Sequence, residues 1–364
     1  MAVKIVRQPN KIALLGAPTS AAAMSAGHEV APEALRAAGL VERLTSIGYS
    51  VADLGDDPKQ LYEPDEESPR ARNIPRVIAA LEALKPRVEQ AVKSGALPLI
   101  LSGDCSVVLA TIAGVRRYFR HVGLVYMDRD ADLATPATTS TGCVDGMVIS
   151  HVVGRGAAEL VRFWSEPPLV REPDVALFGT ARIEPAEEEV LNRTPLRKYL
   201  ASDVRRMGAA AAAQAAIDRI HVDGHEFVLH FDVDVIANFA ATNYSGADGL
   251  GLDEVREALD VFAAKKHLAA IDVSAYNPAK DPDGSGAKLL IDLLAGVLQR
   301  RLEALQEGAP AATPAESSAS ATTEKEPEPA LPAAPSGEAW SSDSLEKSPE
   351  SIEPSTESED SQPQ

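Results

Sequence analysis

The chain has 364 residues, of which 45% are hydrophobic, and a formal net charge of −19. Its length allows one large or two medium domains, and its acidity argues against nucleic-acid binding. We find no apolar run of transmembrane length and no signal-peptide pattern, so no membrane partner is expected. Two cysteines are too few for a disulfide framework, which makes a reducing cytoplasm the expected location.

Apolar strand-like segments alternate with amphipathic segments along most of the chain. This pattern predicts a parallel α/β sheet covered by helices on both faces. The predicted strands are 11–16, 49–54, 97–101, 123–127, 175–179, 226–234 and 267–273. The predicted helices are 32–47, 74–94, 107–119, 185–192, 201–220, 252–266 and 287–304.

The composition changes after about Gly308 to Pro, Ala, Ser, Thr and Glu, with a net charge of −10 from there to the end. Such a segment buries too little apolar surface to offset its ordering entropy. We therefore predict one α/β domain over residues 1–307 and a disordered acidic tail over 308–364. The tail is expected to serve solubility or spacing, and a short binding element around Ala339-Trp340 is the alternative.

Three carboxylates follow the predicted strand 123–127 at alternate positions, namely Asp128, Asp130 and Asp132. At strand spacing they share a face, and like charges there repel unless a cation lies between them. Clusters of hard oxygen ligands suit Mg²⁺, Mn²⁺ or Ca²⁺. The pattern therefore indicates a metal site, with a solvated acidic loop as the alternative.

The same pattern recurs about a hundred residues later, where the apolar segment from Glu226 ends in Asp232 and Asp234. Open α/β proteins bind their ligands at the carboxyl ends of parallel strands. Two strands that end alike therefore predict one shared site at that edge of the sheet.

Five segments occur in the order found in the arginase–agmatinase (ureohydrolase) family, and the chain resembles that family over about residues 11–305. The segments are LSGDCS, MDRDADL, TSTGCVDGM, HFDVDVI and IDVSAYNPAKDPDG. The resemblance implies a three-layer arginase-like α/β fold with a central parallel sheet. It also implies hydrolysis of a linear C–N bond in a small guanidino or amidino compound. Two Mn ions per chain and a homo-oligomer, a trimer or hexamer, are expected on the same ground.

The resemblance assigns six metal-binding positions, and every one still holds a residue able to ligate. Four keep the family's aspartate and two replace its histidine: Asp128, Asp132, Asp232 and Asp234, then Cys105 and Asp130. Their carboxylates exceed the charge of two divalent ions, so either some stay protonated or a cation such as Arg129 pairs with one. Arg129 could instead point away from the site.

The other positions implied by the resemblance have changed more. The family's proton-shuttling histidine falls at Asp145, which is the candidate acid or base, and its guanidinium-binding glutamate falls at Ala275. Thr141 and Glu184 are the candidate substrate contacts. Arginine itself is a doubtful substrate because a charge-assisted contact is lost at Ala275. The alternative function is a catalytically inactive member that needs no cofactor and retains the fold for binding or regulation.

Both cysteines, Cys105 and Cys143, lie in these site loops. Three interpretations stay open: a ligand for a softer ion such as Zn²⁺, a disulfide, or two inert buried thiols. His230 precedes Asp232 by two residues, so it shares that strand face and could reach the edge of the site. A local partner within the sheet is the favoured interpretation of His230.

Overall fold

The computed structural model describes residues 5–164, 166–220 and 224–307. Within them, eight strands form one parallel sheet in the order β2-β1-β3-β8-β7-β4-β5-β6. The strands are β1 Lys11–Ala17, β2 Ser50–Asp56, β3 Leu97–Ser102, β4 Val122–Met127, β5 Val175–Phe178, β6 Arg197–Tyr199, β7 Glu226–Asp232 and β8 Leu268–Ser274. The predicted tail, 308–364, lies outside the described residues.

Helices cover both faces of the sheet, which confirms the predicted three-layer α/β architecture. One face packs against α1 Ala31–Ala37, α2 Leu40–Ser46, α8 Ala201–Met207, α9 Ala209–Ile220, α10 Leu252–Ala263 and α11 Ser285–Glu307. The other packs against α3 Ile74–Lys93, α4 Val108–Arg116, α5 Val148–Val152, α6 Ala158–Val161 and α7 Pro185–Arg193. In the described part of the chain, no helix is both long and apolar enough to cross a membrane.

The central strands are buried on both faces, and their sequences show why. Every residue of β3, β4 and β8 is buried, and β3 and β4 accordingly read as nearly continuous apolar runs rather than alternating ones. β4 pairs with β7, and Met127 lies opposite Phe231. The two acidic segments therefore leave the sheet side by side, at the same edge.

Two predicted helices are each interrupted by a glycine. The segment 32–47 breaks at Gly39, with φ of 94°, and the segment 201–220 breaks at Gly208, with φ of 85°. These backbone angles are accessible to glycine at little cost and interrupt a right-handed helix. The hydrophobic periodicity continues across both glycines, so it predicted single helices. The short strand β6 was not predicted.

His151, in a helix that packs against the sheet, allows the burial of that helix to be tested. It lies in α5 with 1% of its surface exposed, and burial lowers its pKa from 6.5 to about 4 against an opposing hydrogen-bond contribution from Met147. Because the unfolded chain takes up this proton near pH 6.5 and the folded chain only near pH 4, stability is lost as the pH falls between these values. We expect His151→Phe to remove roughly 3 kcal/mol of that loss.

The measurement is urea unfolding of the native and substituted proteins at several pH values from 7 to 4. The quantity compared is how steeply the free energy of unfolding changes with pH in each protein. A packing cost that does not depend on pH cancels in this comparison. Equal slopes for the two proteins would show that His151 is not held neutral by the fold.

Candidate metal and active site

A cavity of about 70 Å³ opens at the carboxyl edge of the sheet. Its wall comes from the segments that follow β3, β4, β5 and β7 and from the loop before α5. Every sequence-predicted site residue lines this cavity: Cys105, Asp128, Asp130, Asp132, Thr141, Asp145, Glu184, Asp232 and Asp234. The structure thus brings together residues that the sequence spreads over 130 positions, and their individual roles stay predictions.

Two adjacent sets of potential ligand atoms form the floor of the site. One atom each from Asp128, Asp130 and Asp234 lies within 4.8 Å of the others, and the same holds for Cys105, Asp128 and Asp232. Asp128 belongs to both sets. This arrangement is suited to two neighbouring cations that share one carboxylate.

Asp132 differs from the other candidate ligands. Its carboxylate accepts a hydrogen bond from the Tyr126 hydroxyl, and among the described residues it belongs to neither set of donor atoms. Its φ of 49° also lies in the left-handed region, and β4 ends at Met127. The three carboxylates therefore do not continue the strand, and the strand face predicted to carry all three is wrong, although all three line the same cavity.

The electrostatics of the floor fit a bound cation. Burial, followed by repulsion from Asp132, raises the pKa of the Asp128 carboxyl well above its ordinary value. Burial and then Asp234 do the same for Asp232, and burial raises the pKa of Asp234 to about 7. Since these carboxyls cannot all ionise together without a counter-charge, their donor set and repulsion fit a divalent metal ion.

Two arginines already supply part of that counter-charge. The Arg129 guanidinium lies 3.7 Å from Asp130 Oδ2 and 3.9 Å from Asp234 Oδ2, and its Nη1 donates to Asp248 Oδ1 at 3.1 Å. Arg182 forms an ion pair with Asp130. Arg129 thus points toward the site. Arg182 was missed because an isolated bridge between distant segments brings it to Asp130, and the sequence around it carries no motif.

Both thiols are free and buried, which excludes the disulfide among the three interpretations. The Cys105 thiol donates to Asp232 Oδ2 at 2.8 Å and lies 3.3 Å from the Ser274 hydroxyl. Burial and then the Asp232 charge raise the pKa of this thiol well above its ordinary value. Without a metal ion, Cys105 is therefore a neutral hydrogen-bond donor.

His230 has the local partner that was expected of it. Its Nδ1 lies 3.0 Å from Asp272 Oδ2, on the neighbouring strand β8. Its ring stacks on Tyr126, with centroids 4.4 Å apart and planes inclined by 8°. The ring therefore has a fixed position and orientation directly beneath the site.

Asp145 stands in the cavity wall, at the position predicted for a proton carrier. Its Oδ1 accepts the backbone N–H of Cys105 at 2.8 Å. Burial and then the charge of Asp104 raise its pKa to about 7, and hydrogen bonds from the Cys105 backbone and then from Tyr244 oppose the rise. A carboxyl that titrates near neutrality can accept or release a proton during catalysis. Tyr244 was not predicted, since the loop that carries it has no recognised pattern.

The two predicted substrate contacts also hold the cavity rim in place. Glu184 is the N-cap of α7 and forms a capping box with Glu187, and it accepts from the Ser140 hydroxyl at 3.2 Å. Thr141 Oγ1 accepts the Cys143 backbone N–H at 3.1 Å. Their polar atoms line the cavity, but part of their hydrogen-bonding capacity is already used.

Comparisons with known proteins agree with this architecture. The model of the arginase family matches residues 10–298. The arginase of Bacillus caldovelox is 26% identical over 297 residues, which cover 80% of this chain and 99% of that arginase. The crystal structure of Bacillus cereus arginase superposes with a TM-score of 0.72 at 25% identity, covering 79% of this chain and 98% of the other.

A more distant structure shares the fold. The formimidoylglutamase of Bacillus subtilis superposes with a TM-score of 0.63 at 16% identity, covering 83% of this chain and 88% of that one. The family model spans most of the residues that build the sheet and the cavity. The chain belongs to the arginase family.

Proposed function

We propose that this protein is a metal-dependent hydrolase that cleaves a linear C–N bond in a small cationic guanidino or amidino compound other than arginine. The observation that carries the proposal is the pair of buried donor sets that share Asp128 at the floor of an acidic cavity. Membership of the arginase family supports the hydrolytic class.

The cavity wall supports a cationic substrate. Glu184 and Glu187 line it together with the floor carboxylates, and Arg182 is the one cationic side chain among its described lining residues. An acidic cleft with low-dielectric walls concentrates cations. Ala275 is fully buried and offers only a methyl group, so recognition of the cationic head would depend on the rim carboxylates.

The residues divide the chemical work between them. Divalent ions held by the two donor sets, Mn²⁺ by family membership or Zn²⁺ as the alternative, would supply the Lewis acid that lowers the pKa of water. The Cys105 amide donates to Asp145 Oδ1, and the Asp145 carboxyl would carry the proton that the departing amine needs. Arg129 and Arg182 hold Asp130 in place at the edge of the floor.

One observation favours the alternative of a binding or regulatory protein without catalysis. Asp130 is already paired with Arg182, and Asp232 already accepts from the Cys105 thiol. These contacts give Asp130 and one oxygen of Asp232 a partner without a metal ion. They would have to be exchanged, and the thiol deprotonated, when an ion binds.

Elemental analysis of the untagged protein, grown with Mn and Zn available, tests the proposal. We expect two ions per chain. We also expect turnover of at least one compound in a screen of guanidino and amidino compounds, detected as the release of urea or ammonia. A chelator should abolish that turnover, and the metal should restore it. A folded, metal-free protein that hydrolyses none of these compounds would support the non-catalytic alternative. Light scattering on the same sample would test the expected trimer or hexamer.

A further inference from the structure

His230 lies within ligand distance of one of the two donor sets. One atom each from Cys105, Asp128, His230 and Asp232 lies within 4.8 Å of all the others, and none of these residues is more than 2% exposed. Donor atoms on a tetrahedral zinc ion are about 3.4 Å apart, given bonds of about 2.1 Å. Small side-chain shifts would therefore bring the four atoms around one ion.

The hydrogen bonds of His230 prepare its other nitrogen for that role. His230 Nδ1 lies 3.0 Å from Asp272 Oδ2, and the Ser102 hydroxyl donates a hydrogen bond to the other oxygen of the same carboxylate. Nε2 lies 3.3 Å from the Ser274 hydroxyl, which in turn is 3.3 Å from Cys105 Sγ. A carboxylate on Nδ1 fixes the tautomer in which Nε2 carries the lone pair, as in most histidines that bind metals.

The same contacts resemble the Ser-His-Asp arrangement of a nucleophilic enzyme, but burial argues against that function. Ser274, His230 and Asp272 are all fully buried. A substrate in the cavity meets Cys105 and Asp232 there, so the Ser274 hydroxyl has no access to a reacting carbon. Acting as a ligand requires no such access, because the ion lies among the side chains.

We propose that Cys105, Asp128, His230 and Asp232 form a four-coordinate site that selects a borderline-soft ion, Zn²⁺, over Mn²⁺. This inference rests on the proposed metal-dependent function and changes the identity of one of its ions. Thiolate and imidazole ligands favour zinc, whereas carboxylate and water ligands suit manganese. His230 supplies an imidazole from β7 to a floor in which positions 105 and 130 carry none.

The proposal also separates the two ions by role. A site closed by four protein ligands leaves no position for water and organises its surroundings, whereas an open site can present water to a substrate. The other set, Asp128, Asp130 and Asp234, has only three protein ligands, so an ion there would keep a position open toward the cavity that these residues line. The zinc ion would therefore fix the floor, and the second ion would face the substrate.

The test is titration of the metal-free protein with Co²⁺, a spectroscopic substitute for Zn²⁺. We expect a thiolate-to-cobalt charge-transfer band and the visible bands of four-coordinate cobalt, saturating at one ion per chain. His230→Gln should remove the four-coordinate spectrum, and Asp272→Asn should keep it while weakening affinity by about 10- to 100-fold. His151→Phe, a buried histidine outside the site, should leave the titration unchanged.

X-ray absorption of the native protein with one Zn²⁺ keeps the test independent of variant folding. One sulfur near 2.3 Å and one imidazole nitrogen near 2.0 Å are expected. A shell of oxygen atoms only, or a cobalt spectrum unchanged in folded His230→Gln, would overturn the His230 proposal while metal binding itself stands. Failure of the native protein to bind Co²⁺, Zn²⁺ or Mn²⁺ would instead overturn the proposed function as well.

Discussion

Replacing Asp128 by asparagine should abolish metal binding at both donor sets and yet stabilise the metal-free protein. Asp128 contributes to both sets, so losing its charge weakens two sites at once, and turnover should fall at least about 1,000-fold, or roughly 4 kcal/mol. In the metal-free protein, the same carboxyl stands fully buried among others that repel it. Asparagine preserves its shape and its acceptor for the Asp130 amide, so the free energy of unfolding should rise by about 1 to 2 kcal/mol.

Metal content, turnover and urea unfolding without metal together measure the prediction. Asp248→Asn is a matched control, because that carboxylate binds Arg129 but is 54% exposed and outside both donor sets. The control should retain both ions. Retention of two ions by Asp128→Asn would show that the sets do not share this residue. A less stable metal-free variant would show that the floor carboxylates do not repel one another.

The sequence predicts the convergence of the site because each motif follows an apolar strand. Parallel strands deliver their carboxyl ends to one edge, so Asp128 and Asp232 must meet once β4 and β7 are neighbours. Which strands are neighbours is a property of the sheet order and cannot be read from one segment. The pair His230 and Asp272 depends on it, since these residues are register partners on β7 and β8.

Contacts made by irregular segments are still harder to predict. Arg182 reaches Asp130 through a single bridge, and Tyr244 reaches Asp145 from a loop without periodicity. β4 ends at Met127, and the left-handed turn at Asp132 removes that carboxylate from the strand face predicted for it. Such features arise from packing between segments, to which hydrophobic periodicity is insensitive.

Replacing Arg129 by methionine should lower the stability of the metal-free protein and raise its affinity for divalent ions. Arg129 is 7% exposed, and its guanidinium lies within 4 Å of Asp130 and Asp234. Removing one partner of a buried ion pair leaves an uncompensated charge, which costs about 3 kcal/mol. Urea unfolding measures that loss, and Arg256→Met, which breaks an exposed pair with Asp253, should change stability by less than about 0.5 kcal/mol.

The two effects of the Arg129 substitution have one cause. An ion that binds near Asp234 is repelled by the guanidinium, so its removal should tighten binding by about tenfold, or 1.4 kcal/mol. Added Mn²⁺ or Zn²⁺ should then recover most of the lost stability, because an ion that binds only the folded protein stabilises it by mass action. Weaker metal binding by Arg129→Met would mean that the arginine mainly positions Asp130 and Asp234. Tighter binding would mean that arginine and metal ion compete to neutralise the same carboxylates, with the folded chain stable in either state.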